Sequence, residues 1–108
     1  MMTNQVSAGK VKFVLAVKPA GCSYCDAAKK FISNQGFEYD TLNIQDKNDY
    51  EAVHDLFLAT NQTMMRTVPM IFVVGADGKY DLVGGFDDLN DKWDDLVLEH
   101  TAEFVNKK

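Results

Sequence analysis

Residues 11–36 read VKFVLAVKPAGCSYCDAAKKFISNQG, and the fold is decided in this stretch. Val11–Val17 is nearly continuous apolar sequence with β-branched and aromatic members, the pattern of a central strand buried on both faces. Lys18-Pro19-Ala20-Gly21 breaks that strand, since proline and glycine punctuate regular structure. A helix is predicted from about Cys22, with Cys25, Ala28 and Ile32 recurring on its inward face. Gly36 stands just past its end, where a left-handed cap belongs. Two cysteines three residues apart therefore fall where a buried strand passes into a helix.

Working outward, Phe37–Ile44 gives a second strand, with Phe37, Tyr39 and Thr41 alternating against Glu38 and Asp40. Asp46 or Asn48 can cap a second helix whose apolar stripe is Tyr50, Val53 and Phe57. Asn61–Arg66 reads as a loop. Met70–Val74 and Tyr80–Val83 read as strands joined through Gly75-Ala76-Asp77-Gly78, whose Asp-Gly step favours a hairpin. In the last segment Asp87, Asp88, Asp91, Asp94 and Asp95 crowd the start of a helix, and Lys107 and Lys108 lie at its end. Both biases suit the helix dipole. Leu89, Trp93, Leu96, Val97 and Phe104 fall on its sheet-facing side.

The order β-α-β-α-β-β-α defines an α/β chain: a right-handed crossover with parallel strands, then an antiparallel hairpin covered by a helix. One domain is expected over residues 1–108, with its core at about 11–104.

The 108 residues carry a formal net charge of −5, with 46% hydrophobic and 25% charged residues, as an ordinary globular domain does. An acidic body disfavours nucleic acid, whose phosphates need a basic face. The longest apolar runs, Phe13–Val17 and Met70–Val74, have strand length, so no membrane span is expected. Residues Met1–Lys12 lack the apolar centre of an export signal, and a cytoplasmic location is expected. Two cysteines do not make a disulfide scaffold.

Their spacing suits a different chemistry. Disulfide exchange needs a thiolate to attack and a second thiol to resolve the mixed disulfide. At a helix start, unpaired N–H groups and the positive dipole end stabilise a thiolate. They can lower a cysteine pKa from about 8.5 into a range of roughly 3.5–7.5. Cys22 is thus the expected nucleophile and Cys25, one turn inward, the resolving thiol. A zinc site would need two more ligands, and His54 and His100 are the only histidines, at spacings that suggest none. Met64 and Met65 read as core filler, with the padding of a substrate groove as the alternative, and His54 as a helix-surface residue.

Three segments in order, Gly21-Cys22-Ser23-Tyr24-Cys25, Arg66-Thr67-Val68-Pro69 and Gly84-Gly85-Phe86-Asp87-Asp88-Leu89, resemble the signatures of dithiol glutaredoxins. The compact length and long hairpin are similar to bacterial and phage members. The resemblance implies a thioredoxin fold, a central mixed four-stranded sheet with three main helices. It also implies a monomeric enzyme with glutathione as electron donor. Disulfide-bonded or glutathionylated proteins would be its clients, ribonucleotide reductase being typical of the family.

By the same resemblance Val68–Pro69 is a cis bond facing the cysteines, and Val68 pairs with the cysteinyl part of glutathione. Gly84 and Gly85 allow close backbone approach. Phe86, Asp87 and Asp88 receive the γ-glutamyl end, Tyr24 forms an aromatic wall, and Lys18 and Arg66 serve the glycine carboxylate. The family's lysine stands three residues before the first cysteine, whereas Lys18 stands four before. The family's glutamine ahead of the proline motif has Gln62 as its substitute within an expanded loop. Asp26 places a negative charge after the pair, which opposes a thiolate at Cys22.

Some family members with Cys-Ser-Tyr-Cys hold a [2Fe–2S] cluster between two protomers, with glutathione completing the ligation. A cluster carrier using Cys22 is therefore one alternative. A thioredoxin served by a flavoprotein reductase is another, opposed by Gly84-Gly85 and by the lack of a tryptophan before Cys22.

Overall fold

The computed structural model describes residues 11–75 and 78–96. Seven elements follow in chain order: β1 Lys12–Val17, α1 Ser23–Asn34, β2 Glu38–Asn43, α2 Lys47–Ala59, β3 Met70–Val74, β4 Tyr80–Gly84 and α3 Phe86–Asp91. The four strands form one mixed sheet ordered β2-β1-β3-β4. β1 runs parallel to β2, Lys12 opposite Glu38 and Val17 opposite Asn43. It runs antiparallel to β3, with Leu15 opposite Ile71. This is the predicted sheet, a thioredoxin-like fold.

β1 is interior, and its side chains alternate between two cores. Phe13, Leu15 and Val17 join Ile71, Val73 and Val83 against Cys25, Ala28 and Ile32 of α1 and against Leu89 and Leu96. Val14 and Ala16 join Met70 and Phe72 against Val53 and Phe57 of α2. Helices thus cover both faces, which is why β1 lacks polar residues beyond Lys12. Each such large side chain contributes about 1.5–3 kcal/mol when fully buried.

Local signals account for the helix limits. Gln35 closes α1 and Gly36 follows it at φ +87°, the left-handed position that favours glycine. Asp46 caps α2, its carboxylate accepting from the Asp49 N–H at 3.0 Å; Asn48 lies within the helix. Asp49 in turn accepts from the Asn43 N–H at 2.9 Å and ties α2 to the end of β2.

Three expectations are corrected. Tyr50 is exposed, because α2 turns only its Val53–Phe57 side fully to the sheet. Thr41 is also exposed, as a member of an edge strand with one neighbour. The final helix is not continuous: α3 stops at Asp91, Lys92 adopts a turn, and helix resumes over 93–96. Across that break Trp93 stacks on Phe13 at 5.5 Å and meets Phe31 and Phe37 edge-on at 5.1 and 5.5 Å. The predicted positions of Val97, His100, Phe104, Lys107 and Lys108, and of the turn residues Ala76 and Asp77, lie outside the described residues.

Candidate active site

The loop between β1 and α1 delivers the cysteines. Lys18, Pro19, Ala20 and Gly21 are exposed, and Gly21 turns the chain at φ +72°. Cys22 then takes an extended conformation and serves as the N-cap of α1. The backbone N–H of Cys25 donates to Cys22 Sγ at 3.1 Å, so the sulfur occupies the place where a serine or aspartate oxygen usually caps. Cys22 and Cys25 are joined as a disulfide, with Cα atoms 5.2 Å apart. Cys25 is 1% exposed and packed in the core, while Cys22 is half-buried. Of the two residues, Cys22 is the more exposed.

The sulfur sits at the positive end of a twelve-residue helix. Asp26 opposes that field, yet its side chain is 81% exposed and lies 3.8 Å from the Lys29 ammonium. Water and a nearby cation screen its charge.

A cleft of about 460 Å³ is lined by Tyr24, Met65, Thr67, Val68, Pro69, Gly85, Phe86, Asp87 and Asp88; Tyr24 lies between the two cysteines in sequence. Three segments distant in sequence supply these walls. Tyr24, 62% exposed, stands on α1 two residues after Cys22, with its ring 6.3 Å from that of Phe86. The segment before β3 supplies Met65, Thr67 and the cis Val68–Pro69 bond. The β4–α3 junction supplies the rest. Gly84 takes φ +120°, open to glycine, next to an irregularity where β3 and β4 slip register between Ile71 and Phe72. Behind Gly85, the Asp88 carboxylate accepts the Gly85 N–H at 3.1 Å.

Eight of the residues predicted to bind glutathione thus share one wall system. Lys18 and Arg66 are exposed and are not among the residues lining it. Gln62 lies on a separate cavity of about 290 Å³ with Thr60, Asp81 and Lys92. Met65 does more than fill the core: half-buried, it packs beside the α2 cluster and also forms part of the cleft floor. Of the two methionines read as groove padding or core filler, Met65 lines the cleft and Met64 is not among its lining residues. Among the described residues no three His, Cys, Asp or Glu side chains are grouped to hold a metal ion. A [2Fe–2S] cluster shared between two protomers would take Cys22 from each, and in this structure that sulfur is joined to Cys25.

A Cys-x-x-Cys disulfide whose first sulfur caps a helix and whose second is buried, on this sheet, defines a thiol–disulfide oxidoreductase with a thioredoxin-like fold. The glutaredoxin family model matches residues 13–78, more than half of the chain, and the chain belongs to that family. Glutaredoxin 1 of Francisella tularensis, solved with cacodylate, is 24% identical, with TM-score 0.58 over 81% of this chain and 96% of its own. A buckwheat glutaredoxin–glutathione complex is 25% identical, with TM-score 0.54 over 98% of this chain and 84% of its own. The holo form of poplar glutaredoxin C1 (Populus tremula x tremuloides) is 22% identical, with TM-score 0.54 over 85% and 81%. No curated protein sequence matches significantly.

Proposed function

We propose that the chain reduces protein disulfides and glutathione mixed disulfides at the expense of glutathione. The observation that carries this reading is the Cys22 sulfur held as the cap of α1, two residues before the cleft-lining Tyr24. The buckwheat relative's complex with glutathione supports the choice of thiol.

With a glutathionylated protein, the Cys22 thiolate attacks the glutathione sulfur and the protein thiolate leaves. A second glutathione thiolate attacks Cys22–S–S–glutathione, glutathione disulfide departs and the Cys22 thiolate is restored. With a protein disulfide, Cys22 first forms a mixed disulfide with one substrate sulfur. Cys25 then attacks Cys22 Sγ, releasing the substrate dithiol and closing the Cys22–Cys25 bond. Two glutathione molecules reopen it. The N–H that Sγ accepts stabilises the thiolate both as nucleophile and as leaving group. The cis-proline wall takes the cysteinyl backbone, residues 85–88 face the γ-glutamyl end, and Tyr24 shields the exchanging sulfur. Lys18 and Arg66, on exposed loops, serve the glycine carboxylate. The working compartment is the cytoplasm, where the glutathione pool is reducing.

The test compares wild type, Cys22→Ser and Cys25→Ser in glutathione-coupled turnover of a glutathionylated peptide and of a peptide disulfide. Loss of both activities without Cys22, and of only the second without Cys25, is expected. Equal loss of both activities in the two variants refutes the assignment.

A further inference from the structure

We propose that the groove between α2 and the sheet is a docking site for a partner protein, and that it takes an apolar side chain flanked by lysine or arginine. The groove has a volume of about 320 Å³ and shares no residue with the cleft lined by Tyr24 and Asp88. It lies toward the start of β1, where Tyr80 pairs with Val74 and Val74 with Lys12, whereas the cysteines follow the end of that strand. A partner seated there leaves the cysteines free, and the inference is independent of the glutathione reading.

The floor is apolar, built from Val14 of β1, Leu42 of β2 and Leu56 of α2. α2 turns Val53 and Phe57 fully to the sheet, while Ala52, also in the lining, is too small to fill the space. A volume near the lower end of ligand pockets, about 300 Å³, suits one anchoring side chain rather than a cofactor. The rim is acidic, with Asp40 and Asp55 beside Tyr80. Asp40 is bonded to the Lys12 ammonium at 2.9 Å, and Glu38 stands opposite Lys12 in the strand register. The fields of Glu38 and Tyr80 add to that of Asp40 in holding the Lys12 proton. Glu38, Asp40 and Asp55 therefore outnumber the Lys12 ammonium around the rim. Asp55 is exposed, and its side chain has no ion pair or hydrogen bond among the described residues. A spare carboxylate beside an apolar floor selects a cation next to an apolar group. A second copy of this chain fits poorly, because it brings a net charge of −5 to the same acidic rim.

The test titrates the isotope-labelled full chain, oxidised as the Cys22–Cys25 disulfide, with the peptide Gly-Lys-Phe-Lys-Gly and follows backbone amide shifts. Saturable shifts are expected at Leu42, Asp55 and Leu56. Gly-Lys-Gly-Lys-Gly, which lacks the apolar anchor, is expected to bind about tenfold more weakly. Gly-Glu-Phe-Glu-Gly, which keeps the anchor and reverses the charge, is expected to bind more weakly by a similar factor. Asp55→Lys is expected to lower affinity for the Lys-Phe-Lys peptide about fivefold. Turnover of a glutathionylated peptide by the same variant stays at the wild-type level, because Asp55 lies outside the cleft. Equal affinity for the Lys-Phe-Lys and Lys-Gly-Lys peptides would reduce the groove to a diffuse acidic surface and overturn the proposal. Absence of shifts at millimolar peptide, shifts confined to Tyr24 and residues 85–88, or unchanged affinity in Asp55→Lys would overturn it as well. So would a dimer in sedimentation that Asp55→Lys or Leu42→Ala dissociates, since the occupant would then be a second copy.

Discussion

The capping sulfur leads to a comparison between two inactive variants. Cys22→Ser and Cys22→Ala both remove the nucleophile and the disulfide, so their reference states match. They differ in what the Cys25 N–H, 3.1 Å from the present sulfur, finds at the head of α1. Serine places an oxygen there in the extended conformation that Cys22 already adopts, whereas alanine leaves the donor to water. Replacing a good N-cap by alanine costs about 0.5–2 kcal/mol, typically about 1. For a chain of 108 residues, 1 kcal/mol corresponds to about 4 °C in Tm. Urea denaturation followed by far-ultraviolet circular dichroism is the assay, with the Cys22→Ser midpoint about 0.5 M above that of Cys22→Ala. Coincident curves would refute the capping argument, and with it the stated reason for a stable thiolate. In the reduced wild type the acceptor is the thiolate itself, and a charge-assisted bond is stronger than a neutral one. Cys22 is therefore expected to ionise below the ordinary thiol value of about 8.5. The added stability of the reduced protein is then present above that value and is lost as pH falls through the native pKa.

Ile32→Ala is expected to destabilise by about 2–5 kcal/mol, because Ile32 is wholly buried between α1 and the sheet; denaturant titration checks it, and a cost under 1 kcal/mol would contradict the packing described. Gly84→Ala should cost about 1–3 kcal/mol in thermal unfolding, since φ +120° disfavours any Cβ and the methyl meets the Asp88 carboxylate. The Lys12 ammonium, hydrogen-bonded to Asp40 at 2.9 Å, is held above its ordinary value of 10.5. A raised cationic pKa stabilises the fold below the unfolded value, and the benefit is lost as pH rises through the folded one. The small stability difference between wild type and Lys12→Met should therefore persist at neutral pH and vanish in strong alkali; a difference that grows with pH would reverse the sign.

Much of the fold could be read because burial on two faces leaves an unmistakable pattern. Seven nearly unbroken apolar positions at 11–17 admit only an interior strand, and Cys25, Ala28 and Ile32 admit only one inward helix face. What periodicity does not carry is the extent of the surface that waits on the other side. Tyr50 lies on the same stripe as Val53 and Phe57, yet it reaches solvent at the first turn of α2. Thr41 alternates correctly and still faces water, because β2 has a neighbour on one side only. The break at Lys92 was equally hidden. Five aspartates and a regular apolar face suit one helix as well as two, and the aromatic nest that receives Trp93 is assembled from Phe13, Phe31 and Phe37, on two other elements and a loop.

The site divides along a related line. Positions where the backbone does the work were legible, since unusual backbone demands particular residues: proline at 69, glycine at 84, and a thiol where a cap is needed at 22. Long side chains on loops obey no such demand. Lys18 and Arg66 are exposed, and their reach is set by rotamers in water rather than by spacing along the chain. Aspartates behave as both kinds at once. Asp88 is fixed by the Gly85 N–H that it accepts, so its place follows from local geometry, whereas Asp87 follows from nothing but what binds. The hydrogen bond locates Asp88, and only substrate charge, varied against Asp87→Asn and Asp88→Asn, assigns either residue a part in binding.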